Sequence, residues 1–284
     1  MTPPPTVLHW PGGGGSWDPS QLSSVAAWYD ADAITGLSNN DPVSTWADAS
    51  GNGYNLTQTS TKRPTYKTST LNGLPVIEFD GTDDYLAAST AADWTFLHDS
   101  TGSSLFVVLK AGTSANPNAA YAALGTHSGT TTDVGINLLY DDRSSLSRND
   151  RMVSLVNNGS GSFFVLNVSS DDAFDANTYG LVSVVSDPAN TTLADRSSIY
   201  VNGGTAITNN STSGSLSTSN PTYALHVGSQ GNGNSKLLGG IAEVVICDAV
   251  LTSTDREKLE GYLAHKWGLT ANLPVSHPYK SSAP

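Results

Sequence analysis

From Lys236 to Leu269 the chain reads KLLGGIAEVVICDAVLTSTDREKLEGYLAHKWGL, a buried-strand pattern followed by the one convincing helix of the sequence. Ile241, Val244, Val245, Ile246, Val250 and Leu251 make a β-branched, apolar run entered through Gly239-Gly240, the composition of a covered strand. Thr252, Ser253 and Thr254 offer hydroxyl N-caps, and Asp255 and Glu257 fall in the first turn, where the helix dipole favours negative charge. Leu259, Tyr262, Leu263 and Trp267 recur at helical spacing, and Gly268 stands where a left-handed C-cap belongs. A lone amphipathic helix in a strand-rich chain has to lay its apolar stripe on a sheet. Glu257, Glu260 and His265 are then expected on its solvated face.

The rest of the chain supplies that sheet. Strand patterns appear at Val25–Asp30, Val43–Asp48, Leu74–Asp80, Ser104–Lys110, Val134–Tyr140, Met152–Asn157, Phe163–Val168, Tyr179–Ser186, Ser198–Val201 and Ala224–Gly228. Turn chemistry separates them, including Ser50-Gly51-Asn52-Gly53, Gly81-Thr82-Asp83-Asp84 and Asn202-Gly203-Gly204. Short strands at regular spacing predict an all-β fold, a two-sheet antiparallel jelly-roll sandwich with one C-terminal α-helix packed on it. Residues 1–22, with Pro3-Pro4-Pro5 and Gly12 to Gly15 between Trp10 and Trp17, read as an extended Pro/Gly-rich arm. Residues 23–284 read as the sandwich with its helix, and the Pro-containing tail is expected to pack back on it.

Composition excludes several functions. Charged residues are 13% of the chain, its net charge is −12, and only four of the acids are Glu. A nucleic-acid backbone needs a basic surface, so no nucleic acid is expected as a partner. No run approaches the ~20 apolar residues of a membrane helix, and MTPPPTVLHWPGGGGSW lacks the basic and apolar regions of a secretory signal. Membrane insertion and general export are therefore not expected. Cys247 is the single cysteine, set in the apolar run, and reads as an inert buried thiol.

Several pieces together resemble the concanavalin A-like lectin/glucanase superfamily, in its laminin-G-like (LamG) branch found in phage and bacterial surface proteins. They are Trp28-Tyr29-Asp30, the run from Trp46 to Gly53, the run from Gly73 to Leu86, Tyr200 to Gly203, the terminal Gly261 to Leu269, and the tail Leu273 to Tyr279. The resemblance implies a jelly roll of two antiparallel sheets and says less about function, because members bind sugars, bind proteins, hydrolyse glycans or build structures. Ala87 to Ala194 carries the pattern weakly, and binding loops are expected there.

Candidate chemistry is sparse. Retaining glucanases of the superfamily use E-x-D-x-x-E, with carboxylates about 5 Å apart. Glu78-Phe79-Asp80-Gly81-Thr82-Asp83 matches the first two positions, but Gly81 breaks the strand and Asp83 falls in a turn. These residues read as packing and turn-capping groups, no catalytic residue is assigned, and the protein is expected not to be an enzyme. Asp80, Asp83 and Asp84, or Asp141 and Asp142, make calcium the one candidate cofactor, but no D-x-D-x-D-G loop occurs. The six histidines do not pair at metal-ligand spacing. A sugar site needs an aromatic platform beside planar polar groups, and the weakly patterned middle offers Trp94 and His98, then Tyr140, Asp141, Asp142 and Arg143.

The resulting expectation is a virion surface protein of the capsid-decoration or head-fibre type, anchored through its arm (Pro4, Trp10, Trp17). It would be a homo-oligomer whose partners are the major capsid protein and host-cell glycans. The alternatives are a tail-fibre tip, a secreted carbohydrate-binding module acting outside the cell, and, third, a glycoside hydrolase.

Overall fold

In the computed structural model, residues 17–112, 120–143, 149–161, 163–208, 210–212 and 214–284 are described. The strands in chain order are β1 Val25–Asp30, β2 Thr45–Trp46, β3 Leu56–Thr57, β4 Thr65–Leu71, β5 Leu74–Asp80, β6 Leu86–Ala87, β7 Ser103–Ala111, β8 Ala120–Gly125, β9 Val134–Asp141, β10 Arg151–Asn158, β11 Phe163–Val168, β12 Tyr179–Ser186, β13 Ser197–Val201, β14 Asn210–Thr212, β15 His226–Val227 and β16 Leu238–Cys247. The helix α1 spans Ser253–Lys266. Among the described residues the strands form two antiparallel sheets, one in the order β13-β12-β7-β16-β5-β4 with β1 also on β16, the other β14-β11-β10-β9-β8-β15-β6-β3-β2. The expected all-β sandwich with one terminal helix is what the chain forms.

The apolar run of β16 is the hub of the first sheet. One edge pairs with β7 along its length, while the other takes β5 at Gly240↔Glu78 and β1 at Val245↔Trp28. A register shift between Ile241 and Glu243 marks the handover, an irregularity that bends a strand and re-aims its side chains. Residues paired across strands share a face, so Trp28, Val245 and Phe106 lie together on one face of this sheet. The strands' other faces meet the second sheet in a common core containing Val107, Val244, Ile246, Ile136, Leu138 and Tyr140.

Thr252 Oγ1 accepts the Asp255 amide at 3.2 Å and opens α1, and Gly268 closes it at φ 71°, as the sequence predicts. Leu259, Leu263 and Trp267 are fully buried. The helix also covers a polar centre. Glu243, with no exposure, accepts from Trp28 Nε1 and Trp267 Nε1, each at 2.7 Å. Lys266 Nζ lies 2.8 Å from Glu243 Oε2 and 2.6 Å from Asp30 Oδ2. Burial raises the Glu243 carboxyl above its ordinary range, with Lys266 opposing. Burial alone would lower Lys266, but Glu243 and Asp30 hold it above its usual value. Removing one partner of such a buried pair costs roughly 3–5 kcal/mol.

The expected solvated face of α1 is only partly solvated, with Glu257 and His265 half-buried. Glu260 is fully buried, with Oε2 2.5 Å from Arg256 Nη1 and 3.3 Å from His277 Nε2. The reason is the tail, which lies across the helix: His265 Nε2 donates to the Tyr279 carbonyl at 2.9 Å. Gly261 is needed for that crossing, since a Cβ there would come 2.5 Å from Tyr279 Cβ. At the other end of the chain, Trp17 packs edge-on to Tyr262 at 6.1 Å and Leu22 joins the core margin. Residues 17–22 are thus fastened to the sandwich, while Pro4 and Trp10 fall outside the described residues.

Candidate functional site

Most motif residues hold turns. Asp48 Oδ1 accepts the amides of Trp28 at 3.0 Å and Ser50 at 2.9 Å, and its Oδ2 accepts that of Tyr54 at 3.0 Å. Asp80 Oδ1 accepts the amides of Thr82 at 2.8 Å and Asp83 at 3.2 Å, and Asp84 Oδ2 that of Asp80 at 3.1 Å. Partial burial would raise Asp80, but these amides hold it below the usual carboxylate range. Asp84 is pushed up to about 6, first by burial and then by Asp80. Carboxylate oxygens of Asp80, Asp83 and Asp84 lie within 4.8 Å of one another, three ligands where calcium takes six to eight oxygens. Glu78 sits 3.7 Å from both Lys67 and Lys110.

The expected sugar-binding residues are not brought together on a surface. Trp94 is fully buried against Tyr54 at 5.3 Å and Phe96 at 6.2 Å. His98 is fully buried, its Nε2 donating to the Ser219 carbonyl at 2.9 Å, and burial lowers its pKa. Tyr140 stacks in the core on Tyr121 at 6.1 Å and donates its hydroxyl to Asp150. The core claimed these aromatics because each removes a large apolar area from water. Asp141, also buried, holds Arg143 through both carboxylate oxygens at 2.7 Å each. Asp142 and Arg143 stay half-buried at this edge of β9. Next to them Arg151 is clamped on Asp171, Nε to Oδ1 at 2.6 Å. These are charged pairs without an exposed aromatic.

A concave site lies elsewhere. A cleft of about 240 Å³ opens where the loop before β12, the hairpin tip after β13 and the turn after α1 converge, lined by Phe174, Asp175, Thr178, Tyr179, Gly180, Asn202 and Asn272. Each part is held in place. The Asn177 amide donates to the Ala111 carbonyl at 2.7 Å, tying the loop to the end of β7. Thr178 Oγ1 donates to the Asp175 carbonyl at 2.8 Å. Asn202 and Gly203 take the left-handed conformations of a tight hairpin, φ 51° and 65°. Asn202 Oδ1 accepts the Leu181 amide at 2.9 Å, leaving Nδ2 as a donor. The turn Thr270–Asn272 is fixed by Lys280, whose Nζ donates to the carbonyls of Thr270 at 2.8 Å, Ala271 at 2.8 Å and Leu273 at 2.7 Å.

Two glycines make the close approaches around the cleft. At Gly180 a Cβ would come 2.8 Å from Phe174 Cε2 and 3.2 Å from Asn202 Oδ1. At Gly240 it would come 2.2 Å from the hydroxyl of Tyr179, whose ring therefore lies across a bare strand. Buried Phe174 and half-buried Tyr179 supply aromatic walls, and Thr178, Asn202 and Asn272 supply neutral hydrogen-bonding groups. Five of the seven lining residues, Phe174 to Gly180, lie in the stretch Ala87–Ala194 where binding loops are expected. Asn202 was legible as a turn residue, but nothing in the sequence joins it to Asn272.

No protein-family model matches the chain, and no curated protein sequence matches it. Solved structures share its fold. The botulinum neurotoxin serotype G binding domain superposes with a TM-score of 0.57 at 12% identity, over 86% of this chain and 54% of that one. The binding domain of botulinum neurotoxin DC, in complex with SialylT, gives 0.51 at 13% identity, over 85% of this chain and 52% of that one. Trypanosoma rangeli sialidase in complex with sialic acid gives 0.51 at 13% identity, over 86% of this chain but 33% of that one. The chain thus spans from a third to about half of these proteins. The expectation that the protein is not an enzyme is corrected, because a sialidase is among the structures that share the fold. What the likeness shows is the fold: an antiparallel β-sandwich of the kind found in neurotoxin receptor-binding domains and in part of a sialidase.

Proposed function

We propose that the protein binds carbohydrate, with a sugar ring seated in the cleft between Tyr179, Asn202 and Asn272. The carrying observation is the cleft itself, a half-open depression that sets aromatic side chains beside amide and hydroxyl groups. A pyranose has an apolar C–H face suited to a ring and hydroxyl edges that both donate and accept, as Asn and Thr side chains do. The sandwich shared with a neurotoxin binding domain in complex with SialylT supports this reading. In its finer form the proposal is a concanavalin A-like, LamG-type domain on a virion surface, attached by the N-terminal arm to the major capsid protein and directed to host glycans. A tail-fibre tip or a secreted module would use the same cleft.

Asn272 is exposed, so Asn272→Ala is expected to leave the melting temperature unchanged. Losing one ligand hydrogen bond should weaken glycan binding about five- to tenfold, as read by titration calorimetry. Undiminished binding would move the site out of the cleft.

A further inference from the structure

We infer that the cleft selects uncharged sugars and discriminates against sialylated ones, with Asp175 as the specificity-determining residue; the inference rests on the carbohydrate-binding reading above. Among the seven lining residues Asp175 is the one charged side chain, and among the described residues no Arg, Lys or His lines the cavity. Of the two lysines beside it, Lys280 is fully committed and Lys110 is drawn toward Glu78. Lys280 places its ammonium on the three carbonyls of Thr270, Ala271 and Leu273, and an ammonium has three N–H groups. Lys110 lies over the Tyr179 ring, 5.3 Å from its centre, and 3.7 Å from Glu78, which it shares with Lys67. A ligand carboxylate entering the cleft therefore meets an exposed aspartate and, among the described residues, no guanidinium or ammonium lining it. The chain's net charge of −12 acts in the same direction.

This departs from the structural neighbours, one of which was captured with sialic acid and another with SialylT. The shared sandwich does not carry their ligand preference here, because specificity resides in the residues placed on the fold. At 4 Å in a water-like dielectric, repulsion between two carboxylates weakens binding about fivefold. Neutral hydroxyls of a hexose or N-acetylhexosamine have no such penalty. They match the Nδ2 donor of Asn202, the amide of Asn272 and the hydroxyl of Thr178.

The test is a panel of neutral glycans terminating in galactose, glucose, mannose or N-acetylglucosamine, each paired with its sialyl-capped counterpart, read as the ratio of the two affinities at low salt. The neutral member should bind at least about fivefold tighter. Raising salt to about 0.5 M should narrow that ratio if charge sets it. Asp175→Lys, at an exposed position that tolerates it, should shift the ratio toward the sialylated glycan. Equal or tighter binding of sialylated glycans by the unaltered protein, or a ratio that neither salt nor Asp175→Lys moves, overturns the inference while leaving carbohydrate binding in place. Absence of binding to every glycan overturns both.

Discussion

Glu243 shows how little a residue's type reveals about its place. It is an ionisable side chain in a run of Ile and Val, fully buried, and two tryptophans donate their indole N–H groups to it. Trp28 and Trp267 are legible in the sequence as apolar anchors. Their polar task is not, because the acceptor lies 215 residues from one and 24 from the other. His127 is a second buried ionisable group. The Gly129 amide donates to its Nδ1 at 2.9 Å, so the ring proton sits on Nε2, and burial pushes its pKa down to about 3. The unfolded chain, with an ordinary histidine near 6.5, takes up a proton that the fold refuses. This contribution is fully present above pH 6.5 and is lost as pH falls toward 3, by about 1.4 kcal/mol per unit, or about 2 kcal/mol at pH 5. His226, pushed down to about 4 by burial, acts in the same sense. Asp84, raised to about 6, acts in the opposite one, since its contribution is lost as pH rises through that value. His127→Gln should therefore flatten the fall in melting temperature between pH 6.5 and 5. An unchanged slope would show that His127 is not held neutral.

Among the elements, β12 matches its expected span Tyr179–Ser186 in full, its Leu181, Val182 and Val184 being buried. β4 and β8 were not legible. Thr65–Leu71 is a polar edge strand with its middle exposed, and Ala120–Gly125 has alanines where a strand signal needs bulk. The Val43–Asp48 pattern shrinks to Thr45–Trp46, since Asp48 is spent on turn amides. The tail matters more than its composition suggests. It buries Glu260, and through Lys280 it sets the turn that brings Asn272 to the cleft. Lys280→Ala should remove about 1–2 kcal/mol, lower the melting temperature by a few degrees, and weaken glycan binding about threefold by loosening that turn. A variant with the same melting temperature and affinity would show that the turn stands without its lysine.

At the scale of the molecule, residues 17–22 pack on the sandwich. Trp17 packs on Tyr262 and Asp18 caps the turn Pro19–Gln21. A protein comprising residues 17–284 should therefore melt within a degree or two of the full chain and keep its glycan affinity. If the arm is the assembly element, light scattering should show self-association of the full chain and a monomer for the shortened one. Identical masses would remove the arm from that role. The sequence by itself determined the all-β class, the turns at Asn202-Gly203 and Gly81 to Asp84, and the terminal helix with its caps. Those properties depend on residues within a few positions of one another, where spacing and backbone preference act directly. Only the tertiary structure decided that Trp94 and His98 are core, that Glu260 on the outer side of α1 is covered, and that Tyr179, Asn202 and Asn272 share a cleft. Those outcomes depend on which apolar surfaces meet when two sheets close, and on where a tail can then lie, contacts between distant segments that no local pattern encodes.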